Sequence, residues 1–120
     1  MRKESSRSVR IFYPRFNKET LVRELKKKLK DLERKLPLSY VVLFGSYAQG
    51  NYTVASDVDL LVVYKGELRN DAFGTVKRTL EIPLLQPHVY TEEEYEQIKD
   101  VIARMTARGV VLFSHHEAPK

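Results

Sequence analysis

Residues 40–63 read Tyr40-Val-Val-Leu-Phe44, Gly45-Ser46, then Tyr47 to Ser56, then Asp57-Val58-Asp59-Leu60-Leu61-Val62-Val63. Tyr40 to Phe44 is a continuous apolar run, the pattern of a strand covered on both faces. Gly45 ends it, and the chain turns abruptly into a short helical turn over Ser46 to Gly50. Glycine permits a tight turn and close approach to a ligand, while freed amides at a helix start and the Ser46 hydroxyl can cradle a phosphate. Asn51 to Ser56 reads as a polar loop and Asp57 to Tyr64 as a second buried strand. Side chains alternate along a strand, so Asp57 and Asp59 project from one face, their Cα atoms roughly 6.5–7 Å apart. Two such carboxylates repel each other at the mouth of an apolar strand, and a divalent cation relieves that repulsion. Oxygen donors together with phosphates suit Mg²⁺. A Gly-Ser pair alone is an ordinary turn, and Asp-x-Asp alone an ordinary solvated pair. Their spacing brings a phosphate binder and a metal binder to adjacent strand ends.

The remaining elements build outward from these two strands. Asn17 is a good N-cap, and Leu21, Leu25, Leu29, Leu32 and Leu36 follow at helical spacing until Pro37. The spacing predicts a helix over 17–36 with one leucine stripe and a lysine-rich outer surface. Glu67 to Leu80 reads as a helix with Leu68, Phe73, Val76 and Leu80 on one side. Pro83 to Tyr90 reads as a third strand; its prolines place it at an edge or at a bulge. Thr91-Glu-Glu-Glu94 is a capping box opening a helix with Tyr95, Ile98, Val101, Ile102 and Met105 as its apolar positions, closed by Gly109. Val110 to Phe113 reads as a last strand. Residues 1–16 read as an arm, with Val9 to Tyr13 a short strand or extended segment, residues 17–113 as the domain and 114–120 as a tail. The whole is an α/β (α+β) domain: a small mixed β-sheet of about four strands flanked by helices.

Composition narrows the classes. A chain of 120 residues fits one domain, and no cysteine is present, which removes disulfides, zinc-thiolate sites and cysteine nucleophiles. No apolar run approaches a membrane span and no signal peptide is recognisable, so a cytoplasmic protein with no membrane partner is the expectation. The net charge of +5 is uneven: residues 1–36 hold 13 Lys/Arg against 5 Asp/Glu, and the rest 8 against 11. The basic helix is either a docking face for nucleic acid or an acidic protein, or a solubilising surface.

Leu43-Phe44-Gly45-Ser46, the loop with Gln49-Gly50-Asn51 and Ala55-Ser56, and Asp57-Val58-Asp59-Leu60 together resemble the signature of the DNA polymerase β-like nucleotidyltransferases. More narrowly they resemble the short minimal nucleotidyltransferases (MNT) of bacteria and archaea, including the MntA-like antitoxins, over residues 40 to 113. No Gly-Lys-Ser/Thr signature of a P-loop occurs. The resemblance implies transfer of a nucleotidyl (AMP) group from ATP or another nucleoside triphosphate with Mg²⁺. Gly45 and Ser46 would hold the triphosphate, and Asp57 and Asp59 would ligate the metals as the catalytic carboxylates. It further implies an antitoxin role beside a helical HEPN-type protein. The family's third carboxylate is missing: the matching stretch places Gln86 at that position, with His88 two residues on along the same face. Gln86 cannot accept a proton at neutral pH, whereas an imidazole can act as base or ligand. That leaves turnover open and keeps two rivals: an inactive binding protein on the same fold, and a nucleic-acid module using the basic helix. RNA and a second copy of the chain stay open as partners. Tyr47, Tyr52 and Tyr64 are candidates to stack on a base, and His115-His116-Glu117 is a weak metal candidate in the tail.

Overall fold

A computed structural model describes residues 17–53 and 55–115. Val9 to Tyr13, the arm to which they belong, and His116 and Glu117 lie outside the described residues. In chain order the elements are α1 (Lys18–Lys35), β1 (Leu38–Phe44), α2 (Ser46–Gln49), β2 (Val58–Tyr64), α3 (Ala72–Leu80), β3 (Leu85–Thr91), α4 (Glu92–Met105) and β4 (Val110–Ser114).

The four strands form one sheet in the order β3-β2-β1-β4. β1 is antiparallel to both β2 and β4, while β2 and β3 run parallel. The sheet is mixed, as the sequence predicts, because α3 carries the chain back to start β3 in the same direction as β2. Pro87 is tolerated because β3 is an edge.

Alternation along the central strands sends side chains to two covered faces. On one, Val41, Leu43, Leu60 and Val62 pack with the α1 leucines and with Val76 and Leu80 of α3. All five stripe leucines, Leu21 to Leu36, are buried. Each contributes on the order of 1.5–3 kcal/mol by leaving water, which fixes α1 to the sheet far more firmly than helix propensity could. Asn17 caps α1 by accepting from the Thr20 amide at 2.8 Å. On the opposite face Val42, Phe44, Leu61 and Val63 pack with Ile102 of α4, with Tyr40, Tyr90, Tyr95 and Ile98 around them.

Several expected boundaries shift, among them the third strand, which runs Leu85–Thr91 and leaves Pro83 outside it. The helix expected from Glu67 begins at Ala72, because the Tyr64 hydroxyl accepts the Arg69 amide at 2.9 Å and the Arg69 guanidinium bonds Asp71 and the Lys35 carbonyl. Those bonds hold residues 65–71 as a loop. Leu68 and Phe73 are consequently exposed, and α3 buries Ala72, Thr75, Val76 and Leu80 instead. The capping box is present, with the Glu94 amide donating to Thr91 Oγ1 and the Thr91 amide to Glu94. Gly109, however, does not close α4, which ends at Met105 where Thr106 bonds back to the Ile102 carbonyl. Glycine is needed there because a Cβ would sit 2.6 Å from Val42 Cγ1 and 2.8 Å from the Leu43 carbonyl. Val101 and Met105 are exposed rather than core, and β4 continues through Ser114.

Candidate active site

The antiparallel register of β1 and β2 sets Phe44 opposite Asp59. Gly45, next along, therefore turns away directly beside the Asp59 side chain. Its φ of 81° and ψ of −154° lie where L side chains are strained, and a Cβ built on it would strike the Asp59 carboxylate. Both facts demand glycine at this position. α2 follows as a single turn, and no side chain caps its start. Gly50, at φ 85°, ends the turn with its amide donating to the Ser46 carbonyl, and nothing lies within 4 Å of a Cβ built on it.

Asp57 precedes β2 and is exposed; Asp59, its second residue, is half-buried. Burial lifts the Asp59 carboxyl above the usual carboxylate range, and the neighbouring Asp57 charge adds to that lift while His88 opposes it. The two carboxylates therefore feel one another, as alternation predicts. The parallel register then places Gln86 opposite Asp59 and His88 opposite Leu61. Gln86 is exposed. His88 reaches back so that Nε2 lies 3.9 Å from Asp59 Oδ1, its ring tilted against Phe44 at 5.2 Å between centroids. Gly45, Asp59 and His88 thus meet at one corner of the sheet, with Asp57 beside Asp59, Gln86 opposite Asp59 in register and Ser46 next after Gly45 in the chain.

Hard carboxylate oxygens beside an open backbone turn fit a divalent cation that completes its shell with water and phosphate oxygens. Among the described residues no three His, Asp or Glu side chains gather closely enough to hold a metal by themselves. His115 belongs to no such group, and its amide bonds the Ser39 carbonyl.

The tyrosines go elsewhere. Tyr47 is buried and stacked on Tyr52 at 4.3 Å, and the Tyr52 hydroxyl accepts the Lys18 amide. Tyr64 is buried under the loop before α3. Tyr47 and Tyr64 are taken up in packing, while Tyr52 is half-buried with one ring face on Tyr47. A cleft of about 550 Å³ between Tyr40, Val63, Glu92 and Tyr95 lies at the far end of the strands from Asp59 and contains none of the motif residues. The sequence also gave no hint that Lys28 leaves the basic surface: its ammonium donates to the Leu80 carbonyl at 2.9 Å, capping α3.

A four-stranded mixed sheet with a Gly-Ser turn pressed against an Asp-x-Asp strand defines a nucleotidyltransferase type of domain. The chain belongs to the nucleotidyltransferase domain family, whose family model matches residues 22–112. A Methanocaldococcus jannaschii protein provisionally named a protein adenylyltransferase is 43% identical over 47 residues, which are 39% of this chain. The match spans 46% of that relative's length. Among solved structures, a provisionally named nucleotidyltransferase from Sulfolobus solfataricus superposes with a TM-score of 0.59 at 25% identity, covering 83% of this chain and 86% of the other. A toxin–antitoxin complex with AMP-PNP gives 0.55 at 22% identity over 77% and 75% of the two chains. A complex of a tri-AMPylated Shewanella oneidensis HEPN toxin with an MNT antitoxin gives 0.51 at 19% identity over 80% and 75%. The two complexes share the fold with this chain.

Proposed function

We propose that this protein binds a nucleoside triphosphate with a divalent cation, Mg²⁺ in the first instance, and transfers AMP from ATP to a HEPN-type partner as the antitoxin of a pair. The observation that carries the reading is the seating of the Asp59 carboxylate against Gly45, with Asp57 beside it. That contact brings the carboxylate pair and the Gly45-Ser46 turn within reach of one ligand. Gly45 and Ser46 would hold the triphosphate through backbone and hydroxyl donors, and Asp57 and Asp59 would hold the cation. A bound cation of this kind polarises the α-phosphate and offsets charge on the attacking and leaving oxygens. The residues themselves bind and orient. Asp59 is held between Gly45 and His88, so its carboxylate is set before ligand arrives. The relatives' names support the transfer and the partner by similarity alone.

The test is ligand-induced stabilisation. Mg-ATP at a hundredfold excess over its Kd stabilises a binding protein by about 2.7 kcal/mol. Asp59→Asn should fold and lose that shift, and an equal shift in both proteins refutes the site. A second reading, nucleotide binding with little transfer, is favoured by the exposed Gln86 amide opposite Asp59. Radiolabelled ATP with the co-expressed partner separates the two readings. Feeble labelling that rises in Gln86→Glu supports the second, and strong labelling unaffected by Gln86→Ala supports full turnover without a third acid.

A further inference from the structure

We propose that His88 is itself a donor in the metal site beside Asp59, and that its imidazole raises the site's affinity for the later first-row cations relative to an all-carboxylate set. The inference rests on the Asp57–Asp59 reading above. Asp59, Gln86 and His88 share one face because β2 and β3 pair in parallel register, Asp59 with Gln86 and Leu61 with His88. Gln86 stands closer in register, but it offers only a neutral amide. His88 offers a ring nitrogen, and the ring is braced by Phe44 so that Nε2 is the edge turned to Asp59.

The distance is suitable for a shared ion. Two donors each about 2.1 Å from one cation lie at most about 4.2 Å apart. The separation of Nε2 and Asp59 Oδ1 is 3.9 Å, inside that limit. Both side chains are about one-third exposed, at 35% and 31%, which leaves the ion open to water and phosphate oxygens for its remaining positions. Among the described residues no three such side chains gather, so His88 and Asp59 are the close pair of protein donors and the ion needs outer ligands for its remaining positions. A set of carboxylates and water suits Mg²⁺, whereas an imidazole in the set favours the later first-row ions.

Tag-free protein, without nucleotide, is titrated with Co²⁺ and separately with Mg²⁺. Co²⁺ binding is followed by its d–d absorption and by paramagnetically shifted imidazole resonances, and Mg²⁺ binding by calorimetry. Substituting even a residue that only orients a metal ligand weakens metal affinity about 10–100-fold. Loss of the donor should therefore lower Co²⁺ affinity in His88→Gln by about tenfold or more, with a smaller loss for Mg²⁺ and disappearance of the shifted resonances. Glutamine keeps a polar group that can hydrogen-bond Asp59, so a merely orienting histidine would be rescued by it. His88→Asp, which restores an all-oxygen set, should swing preference toward Mg²⁺ and serves if the glutamine variant fails to fold. Equal factors for both ions in these variants, or unchanged affinities, overturn the proposal. Asp59→Asn controls for the parent reading: if it keeps wild-type affinity for both ions, the Asp pair is not the site at all.

Discussion

Replacing Gly45 with alanine separates a backbone requirement from a functional one. Gly45 occupies φ 81°, ψ −154°, and an added Cβ would fall on the Asp59 carboxylate. A non-glycine residue in such a region costs on the order of 1–3 kcal/mol, before the carboxylate is displaced. Taking about 2 kcal/mol, and about 4–8 °C per kcal/mol for a domain near this size, the expected fall in Tm is about 8–16 °C. Gly50 is the internal control, since it is also at positive φ, 85°, but nothing lies within 4 Å of its built Cβ. Gly50→Ala should cost about 1–2 kcal/mol from the left-handed backbone alone and leave the site intact. Thermal melts with and without Mg-ATP read both effects. The expected result is a larger loss in Gly45→Ala together with loss of the nucleotide-induced shift, while Gly50→Ala keeps that shift. If Gly45→Ala melts within a degree or two of wild type, or keeps the full nucleotide shift, the close approach of Gly45 to Asp59 is wrong.

The Asp59 carboxyl has its pKa raised by burial and Asp57, so folding disfavours its ionisation. Its charge therefore costs nothing at acid pH, where both states are protonated, and destabilises progressively once pH passes the unfolded carboxylate value near about 4. Ligand-free Asp59→Asn should accordingly match wild type in urea melts at pH 3 and equal or exceed it at pH 7; a less stable variant at pH 7 contradicts the assignment. On α1, Lys26 and Lys30 are exposed, whereas Lys28 caps α3. Lys26→Glu with Lys30→Glu should weaken partner capture chiefly at low salt with little change in Tm, and equal capture at low and high salt marks the surface as solubilising only. Lys28→Ala should instead cost on the order of 1 kcal/mol of stability, measured by the same urea melts, through the lost bond to Leu80.

Local patterns carried much of this molecule in the sequence itself. The spacing of Leu21 to Leu36 gave a helix and its buried face, because helical periodicity needs only neighbours in the chain. Asn17 and the Thr91–Glu94 box marked helix starts for the same reason: their bonds close within three residues. Alternation put Asp57 and Asp59 on one side, and the prolines marked an edge or a bulge, of which the sheet order shows the edge. Registers between distant strands are another matter, since they depend on how whole elements pack. Only the antiparallel pairing of Phe44 with Asp59 explains why residue 45 must be glycine, and only the parallel pairing of β2 with β3 brings His88 to Asp59. Leu68 and Phe73 had the spacing of a core face yet stayed exposed, because Arg69 and Tyr64 tied the preceding segment into a loop. Lys28 carried the same charge as its neighbours in sequence, and the docking of α1 against α3 alone singled it out. Tertiary structure decided what each of these side chains meets, because burial and pairing are set by elements far apart in the chain.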